Sequence, residues 1–365
     1  MKLVQGWFAV MVLGLLAAEA GAADAIVWKL ASGYSDSSFH TINLREFARD
    51  VESLSKGALR VVVHGNNSLV KLADIRAAVE SGSVEAGEVI LTGISKEVPM
   101  AGADSVPFVV GDFGDAERLW ALQRAPLEQE LGKRGMSVLY SVPWPAQGLY
   151  TTRQITRKLD FSGSRMRTYN PTTVRIAELL GASPVDVPMV QVSEALATGR
   201  MDSMITSAVT GVENKVWSHL KYYYEINAWT PKNAVLINRK ALQRLPEPAQ
   251  RALREASQRA EARGWQLSRS AASSAVATLK ANGVRIEPVP AFLERDFIRL
   301  GERFSREWIL SAGADASAVF TSYFLKLSPA VAAAMPVAAR AARVPALELG
   351  AVVRLDAGAV GRELG

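Results

Sequence analysis

The sequence predicts an α/β protein of two lobes, joined by a hinge and braced by one long helix that spans both. Three observations predict it. Short apolar, β-branched runs alternate with amphipathic helical stretches along most of the chain, as in largely parallel sheets covered by helices. A length of 365 residues corresponds to about two domains at roughly 150 residues each. Between Pro246 and Asn282 a helical pattern runs for about 50 Å at 1.5 Å per residue, longer than one small domain needs.

The elements follow in order. Lys2, the apolar run Trp7 to Ala18 and the small residues Ala20-Gly21-Ala22 have the layout of a cleavable export signal. The run is shorter than the roughly 20 residues that span a bilayer, so residues 1–23 are expected to be removed. Ile26 to Ala31 reads as a strand, followed by the polar loop Ser32 to Ser38. A helix with Leu44, Phe47, Val51 and Leu54 on one face comes next and ends at Lys56-Gly57. Leu59 to Val63 is a β-branched strand, Leu72, Ile75 and Val79 mark a helix, and Val89 to Leu91 is a short strand. Asp115 to Gln123 is helical and Met136 to Ser141 extended. Pro143-Trp144-Pro145 is a stiff crossing between lobes. Arg165 to Tyr169 is a strand, with Arg165 and Arg167 on one face. Thr172 to Leu180 is a helix stopped by Gly181, Ser193 to Thr198 another, and Val235 to Ile237 a strand. In the long helix, Leu253, Ala256, Ala260, Leu267, Ala271 and Leu279 share a stripe, with a bend expected near Gly264. Residues 329–365 are an Ala/Arg-rich tail with no strong signal. The lobes are expected as 24–147 plus 234–275 and 148–233 plus 276–328.

Composition excludes several classes. The chain has no cysteine, so disulfides, thiolate metal sites and cysteine nucleophiles are ruled out. The three histidines, His40, His64 and His219, lack metal-ligand spacing, and no metal or other cofactor is expected. There is no P-loop, G-x-G-x-x-G or G-x-S-x-G, so an enzyme is not expected. The charge of +6 is spread without dense basic runs, which argues against nucleic acid and suits an anionic small ligand. Ligands of such folds sit beyond strand ends or in the cleft between lobes.

The middle of the chain carries a specific resemblance. Leu159-Asp160-Phe161-Ser162-Gly163-Ser164-Arg165-Met166-Arg167 resembles the D-L-K-G-x-K-x-R segment of the periplasmic solute-binding subunits of TRAP transporters, DctP type. Leu180-Gly181-Ala182-Ser183-Pro184-Val185 resembles their L-G-A-x-P-V. Val192 to Asp202, with Glu194, Ala195-Leu196, Thr198-Gly199 and Asp202, resembles E-x-x-x-A-L-x-T-G-x-V-D. Gly82-Ser83-Val84-Glu85 and Val106-Pro107-Phe108 fit two further landmarks. The order is kept over residues 27–326.

The resemblance implies a two-lobed periplasmic binding protein fold. The implied function is capture of an organic acid in the interlobe cleft and delivery to the membrane subunits of an ion-gradient-driven permease. An ABC-type or a sensory periplasmic binding protein for an organic anion is the alternative. A periplasmic location and a monomer are expected, with a dimer as the other state. Arg167 matches the family's carboxylate anchor, and a guanidinium fixed on a strand offers a planar two-point fork. Two positions depart from the family. Tyr150 or Leu149 stands where many members have a second Arg, and Thr206 stands near a usual Asn. The ligand is therefore expected to be a monocarboxylic oxo or hydroxy acid with an apolar body. Phe39, Trp144, Tyr169 and Trp217 are candidate aromatic walls, and Glu88, Gln147, Tyr150 and Thr206 candidate polar contacts.

Overall fold

A computed structural model describes residues 25–325; the expected signal segment and the tail 329–365 lie outside the described residues. The alternating pattern resolves into two sheets. The first has the order β2-β1-β3-β10-β4, with β1 (Ile26–Ala31), β2 (Leu59–His64), β3 (Ala86–Ile90), β4 (Met136–Pro143) and β10 (Lys232–Asn238). The second has the order β11-β9-β5-β8-β6-β7, with β5 (Gln147–Thr151), β6 (Arg165–Thr168), β7 (Ser183–Asp186), β8 (Ser203–Ser207), β9 (Tyr222–Tyr224) and β11 (Arg285–Glu287). Within each sheet parallel pairs form the helix-connected part, β1 with β2 and β3, and β6 with β7 and β8. Antiparallel pairs occur at the strands that cross between lobes, β10 with β3 and β4, and β5 with β8 and β9.

The helices cover these sheets: α1 (Phe39–Leu54), α2 (Ile75–Ser81), α3 (Phe113–Lys133), α4 (Pro171–Leu180), α5 (Val192–Ala197), α6 (Ala208–Glu213), α7 (Arg239–Gln243), α8 (Glu247–Ala281) and α9 (Ala291–Phe324). The chain passes from the first sheet to the second at Trp144-Pro145-Ala146, and returns between β9 and β10. The two crossings run side by side. Trp144 N–H donates to Pro231 O at 2.8 Å and Gln147 N–H to Trp229 O at 2.9 Å. The first residue of β10, Lys232, is pinned by a fully buried ion pair with Asp104, Nζ to Oδ2 3.2 Å.

The long helix α8 has 35 residues. It lies on α1 and β4 of the first lobe and touches α6 and β11 of the second. It is continuous through Gly264, with no break in its helical backbone there. Gly264 serves a close approach instead, because a Cβ there would overlap the side chains of Val142 and Asn43. The bend belongs to α9, at Gly313, whose φ of 80° breaks the helix. Leu293 and Phe297 before the bend pack with Phe161, Ile176 and Trp229 of the second lobe. Ala316, Val319 and Phe320 after it pack with Leu119 and Val106 of the first. Helix α3 also runs ten residues beyond its expected end at Gln123. Pro126 lies inside it, and burial of Leu127 and Leu131 outweighs the cost of about 3 kcal/mol that an interior proline carries. One apolar cluster joins the lobes, running from Leu30, Leu44 and Val61 to Val187, Met204 and Tyr223.

Candidate functional site

A cavity of about 190 Å³ opens between the two sheets, below the roughly 300–1,000 Å³ of sites for drug-sized molecules. The first lobe contributes Tyr34, Leu72, Val89, Ile90 and Ile94. The second contributes Arg167, Tyr169, Asp186, Met189, Thr206 and Thr210, and Trp144, Gln147 and Pro231 enter from the crossings.

Arg167 sits on β6 between Val185 of β7 and Met204 of β8. Strand alternation sends Met166 into the second-lobe core and Arg167 to the cavity face. Its residue exposure is 4%. Nε donates to Val187 O at 2.8 Å, and the guanidinium carbon lies 4.9 Å from the centre of the Tyr169 ring. Among the described residues it forms no ion pair. Burial pulls the guanidinium below its ordinary value, while Tyr169, Asp186 and Tyr34 act in the opposite sense. A buried cation without a partner at a cavity wall is costly until an anion arrives. Arg165 shares the strand face but stands at its exposed end. Its N–H and guanidinium both reach Asp202, at 2.9 and 3.5 Å.

Around the anchor, Gln147 Nε2 donates to Pro145 O at 2.7 Å, and its Oε1 accepts from Tyr169 Oη at 3.3 Å. Burial raises the Tyr169 phenol to about 12, with Arg167 pulling it back, so the phenol stays a donor at neutral pH. Among the described residues the Thr206 hydroxyl has no partner of its own, whereas Thr210 Oγ1 lies 3.1 Å from Ser207 Oγ. Asp186, exposed at the mouth, is the cavity's acid and Arg167 its cation.

Five of the nine expected residues therefore meet at the cavity: Arg167, Gln147, Thr206, Trp144 and Tyr169. The other four do not line it. Tyr150 is fully buried on the sheet face that carries Arg167 and Thr206, but it lies under α6 and away from the cavity. Its ring fills the space above Gly211, where a Cβ would clash with it, and its hydroxyl donates to Ser207 O at 3.3 Å. Phe39 backs Trp144 edge-on, with centroids 5.2 Å apart. Glu88 lies beneath the wall, bonded to Ser32, Asn233 and His40. Trp217 packs against the interlobe cluster. The residues that sequence reasoning missed include Tyr34, Asp186, Thr210 and the apolar Leu72, Ile90 and Met189. An aromatic in the polar loop Ser32 to Ser38 was a usable signal for Tyr34. Asp186, directly after the Leu180-to-Val185 motif, was another.

A family model for bacterial extracellular solute-binding proteins, family 7 (DctP), matches residues 30–298. Among solved structures, the chain is similar to DctP6, a Bordetella pertussis extracytoplasmic solute receptor binding pyroglutamic acid. The two are 39% identical over 81% of this chain and 99% of that one, with a TM-score of 0.79. A TRAP solute-binding protein from a marine metagenome, specific for pyroglutamate and holding co-purified pyroglutamate, is 32% identical over 82% of this chain and 99% of that one, with a TM-score of 0.80. A curated solute-binding protein of Albidiferax ferrireducens is 26% identical over 170 residues, 46% of this chain, and the match spans about half of that protein's length.

Proposed function

The chain belongs to the DctP family of bacterial extracellular solute-binding proteins, and from that premise we propose that it is a receptor for one small monocarboxylate of the pyroglutamate class. The observation that carries this reading is Arg167, buried, without an ion pair, and the one cation on the cavity wall among the described residues. One buried fork takes one carboxylate. A second carboxylate on the ligand would be buried without a partner, which is expensive. The ring of a cyclic oxo acid suits the remaining surface. Leu72, Ile90 and the Trp144 face accept its apolar edge, the free Thr206 hydroxyl donates to its oxo group, and Asp186 accepts from an N–H beside the carboxylate. Gln147 and Tyr169 orient the anchor. The pyroglutamate described for the Bordetella and metagenome proteins supports the same class.

In this reading the lobes are 24–147 with 234–275 and 148–233 with 276–328, the far end of α9 returning to the first lobe. They close on the ligand by hinge motion at the crossings. The receptor acts in the periplasm as a monomer, after removal of its leader, performs no chemistry on its ligand, and passes it to a TRAP permease. No helix of the described residues is long and apolar enough to cross a membrane. A thermal-shift and calorimetry series with pyroglutamate, branched and aromatic 2-oxo acids, succinate and malate tests it. A ligand at 100 times its Kd stabilises the fold by about 2.7 kcal/mol. Pyroglutamate is expected to give that shift at low ligand concentration. Tight binding of succinate or malate with no response to monocarboxylates would overturn the reading.

A further inference from the structure

Behind the aromatic wall of the cavity lies a closed polar network. Asn233 of β10, 1% exposed, accepts on Oδ1 from Trp144 Nε1 at 3.0 Å and from Tyr34 Oη at 3.2 Å. Its Nδ2 donates to Glu88 Oε1 at 3.0 Å. Glu88 also accepts from Ser32 Oγ at 2.7 Å, and its Oε1 lies 3.0 Å from His40 Nδ1. The His40 ring packs on both aromatics, with centroids 4.2 Å from Trp144 and 5.7 Å from Tyr34, and the two also touch each other at 5.3 Å.

The chemistry of these groups leaves Asn233 one orientation. An ionised carboxylate only accepts, so the amide nitrogen must face Glu88 and the amide oxygen must face the indole and the phenol. An indole has a single N–H and a phenol a single O–H. Both are therefore engaged by Asn233, inside the protein and not in the cavity, although both rings line the cavity.

We propose that Asn233 is a specificity-determining positioning residue: by holding the polar tips of Tyr34 and Trp144, it leaves the ligand only their ring surfaces, so that this wall accepts an apolar ring edge and rejects a hydroxylated one. This deepens the monocarboxylate reading and rests on it. A ligand hydroxyl pressed against such a wall loses its water and gains no partner, a discrimination of about tenfold or more.

The test is calorimetry with two probes, pyroglutamate and D-glucuronate, on the wild-type chain, Asn233→Leu, Tyr34→Phe and the double variant, with folding checked by near-ultraviolet circular dichroism. Wild type is expected to prefer pyroglutamate. Tyr34→Phe alone should weaken pyroglutamate clearly less than Asn233→Leu does, because the phenol tip does not meet the ligand. Asn233→Leu should weaken pyroglutamate about tenfold and narrow its preference over glucuronate, since the freed tips then turn toward the cavity. Adding Tyr34→Phe should restore part of that preference, a rescue that general loosening would not produce. Should Asn233→Leu not fold, Asn233→Ala is read in its place: it removes the same acceptor with a smaller side chain, and the preference should narrow in the same direction. A preference ratio that stays at the wild-type value in the folded variant overturns the proposal. So does a Tyr34→Phe loss as large as that of Asn233→Leu, which would mean the phenol bonds the ligand directly. Those results leave the pyroglutamate-class reading standing; a wild-type chain that takes neither probe, or prefers glucuronate, fails that reading and the proposal with it.

Discussion

Replacing Arg167 by leucine is expected to separate binding from stability. In the bound state the ligand carboxylate loses its buried partner. Truncating one side of a buried charge pair typically costs about 2–5 kcal/mol, so Kd should rise by roughly 30-fold to several thousand-fold. In the free state the balance is different. The guanidinium is almost wholly buried and lacks an ion pair among the described residues, and burial pulls its pKa down. Against a desolvation penalty of several kcal/mol stand one bond to Val187 O at 2.8 Å and the Tyr169 ring contact. These contribute about 1.5–3 and 0.5–2 kcal/mol. The two sides nearly cancel, so ligand-free Arg167→Leu should melt at or above the wild-type temperature while losing the ligand-induced shift. Arg167→Lys should recover only part of the affinity, because it keeps the charge without the two-point fork. Thermal unfolding with and without pyroglutamate, together with calorimetry, reads both quantities. A ligand-free leucine variant destabilised by about 3 kcal/mol, with Kd within threefold of wild type, would refute the reasoning and make Arg167 a structural residue.

Three further outcomes are expected. Burial raises the Glu213 carboxyl from 4.5 to about 7, with the Ser38 hydroxyl opposing. Its folded pKa lies above the unfolded one, so the folded chain holds the proton longer and stability falls as pH rises from about 4.5 to about 7. The ceiling is about 3 kcal/mol, and urea titrations should show that slope flattened in Glu213→Gln; equal slopes would count against it. Tyr150→Phe removes only the bond to Ser207 O, so it should cost about 1 kcal/mol of stability and leave Kd within threefold, and a tenfold loss would return Tyr150 to the site. Gly264→Ala gains about 1 kcal/mol of helix propensity but overpacks against Val142 and Asn43, typically 1–3 kcal/mol, so its melting temperature should be at or below wild type.

The alternation of strands and helices was legible because each periodic run faces one core. Elements that serve two cores were not. The buried positions of α9 change partners at Gly313, and β7 is four residues long with Pro184 in it, too short for any period. Arg167 was legible through the motif around it and through strand parity. Parity alone could not assign the residues of β5. Tyr150 shares the sheet face of Arg167 and Gln147 does not, yet Gln147 reaches the cavity where the strand begins while the Tyr150 ring is covered by α6, in the space that Gly211, 61 positions later, leaves for it. Glu88 shows the same limit. A carboxylate beside an apolar strand end reads as a ligand contact until Ser32, His40 and Asn233, from three other elements, are seen to occupy it.

That arrangement of Glu88 bears on why the cavity favours an anion. A buried carboxylate on the first lobe would oppose the incoming ligand if it faced the cavity. Instead it is turned under the floor, paired with His40 and fully hydrogen-bonded, and the rings of Tyr34 and Trp144 stand between it and the cleft. Arg167 on the second lobe has no such cover and no such pair. The remaining acid, Asp186, is at the exposed mouth, where water screens it. The two lobes thus bring together one charge held in hydrogen bonds behind the rings and one open to the cleft, and only the open one changes its surroundings when an anion is bound. The charge imbalance that costs stability in the free protein is the same imbalance that favours an anion once the lobes enclose it.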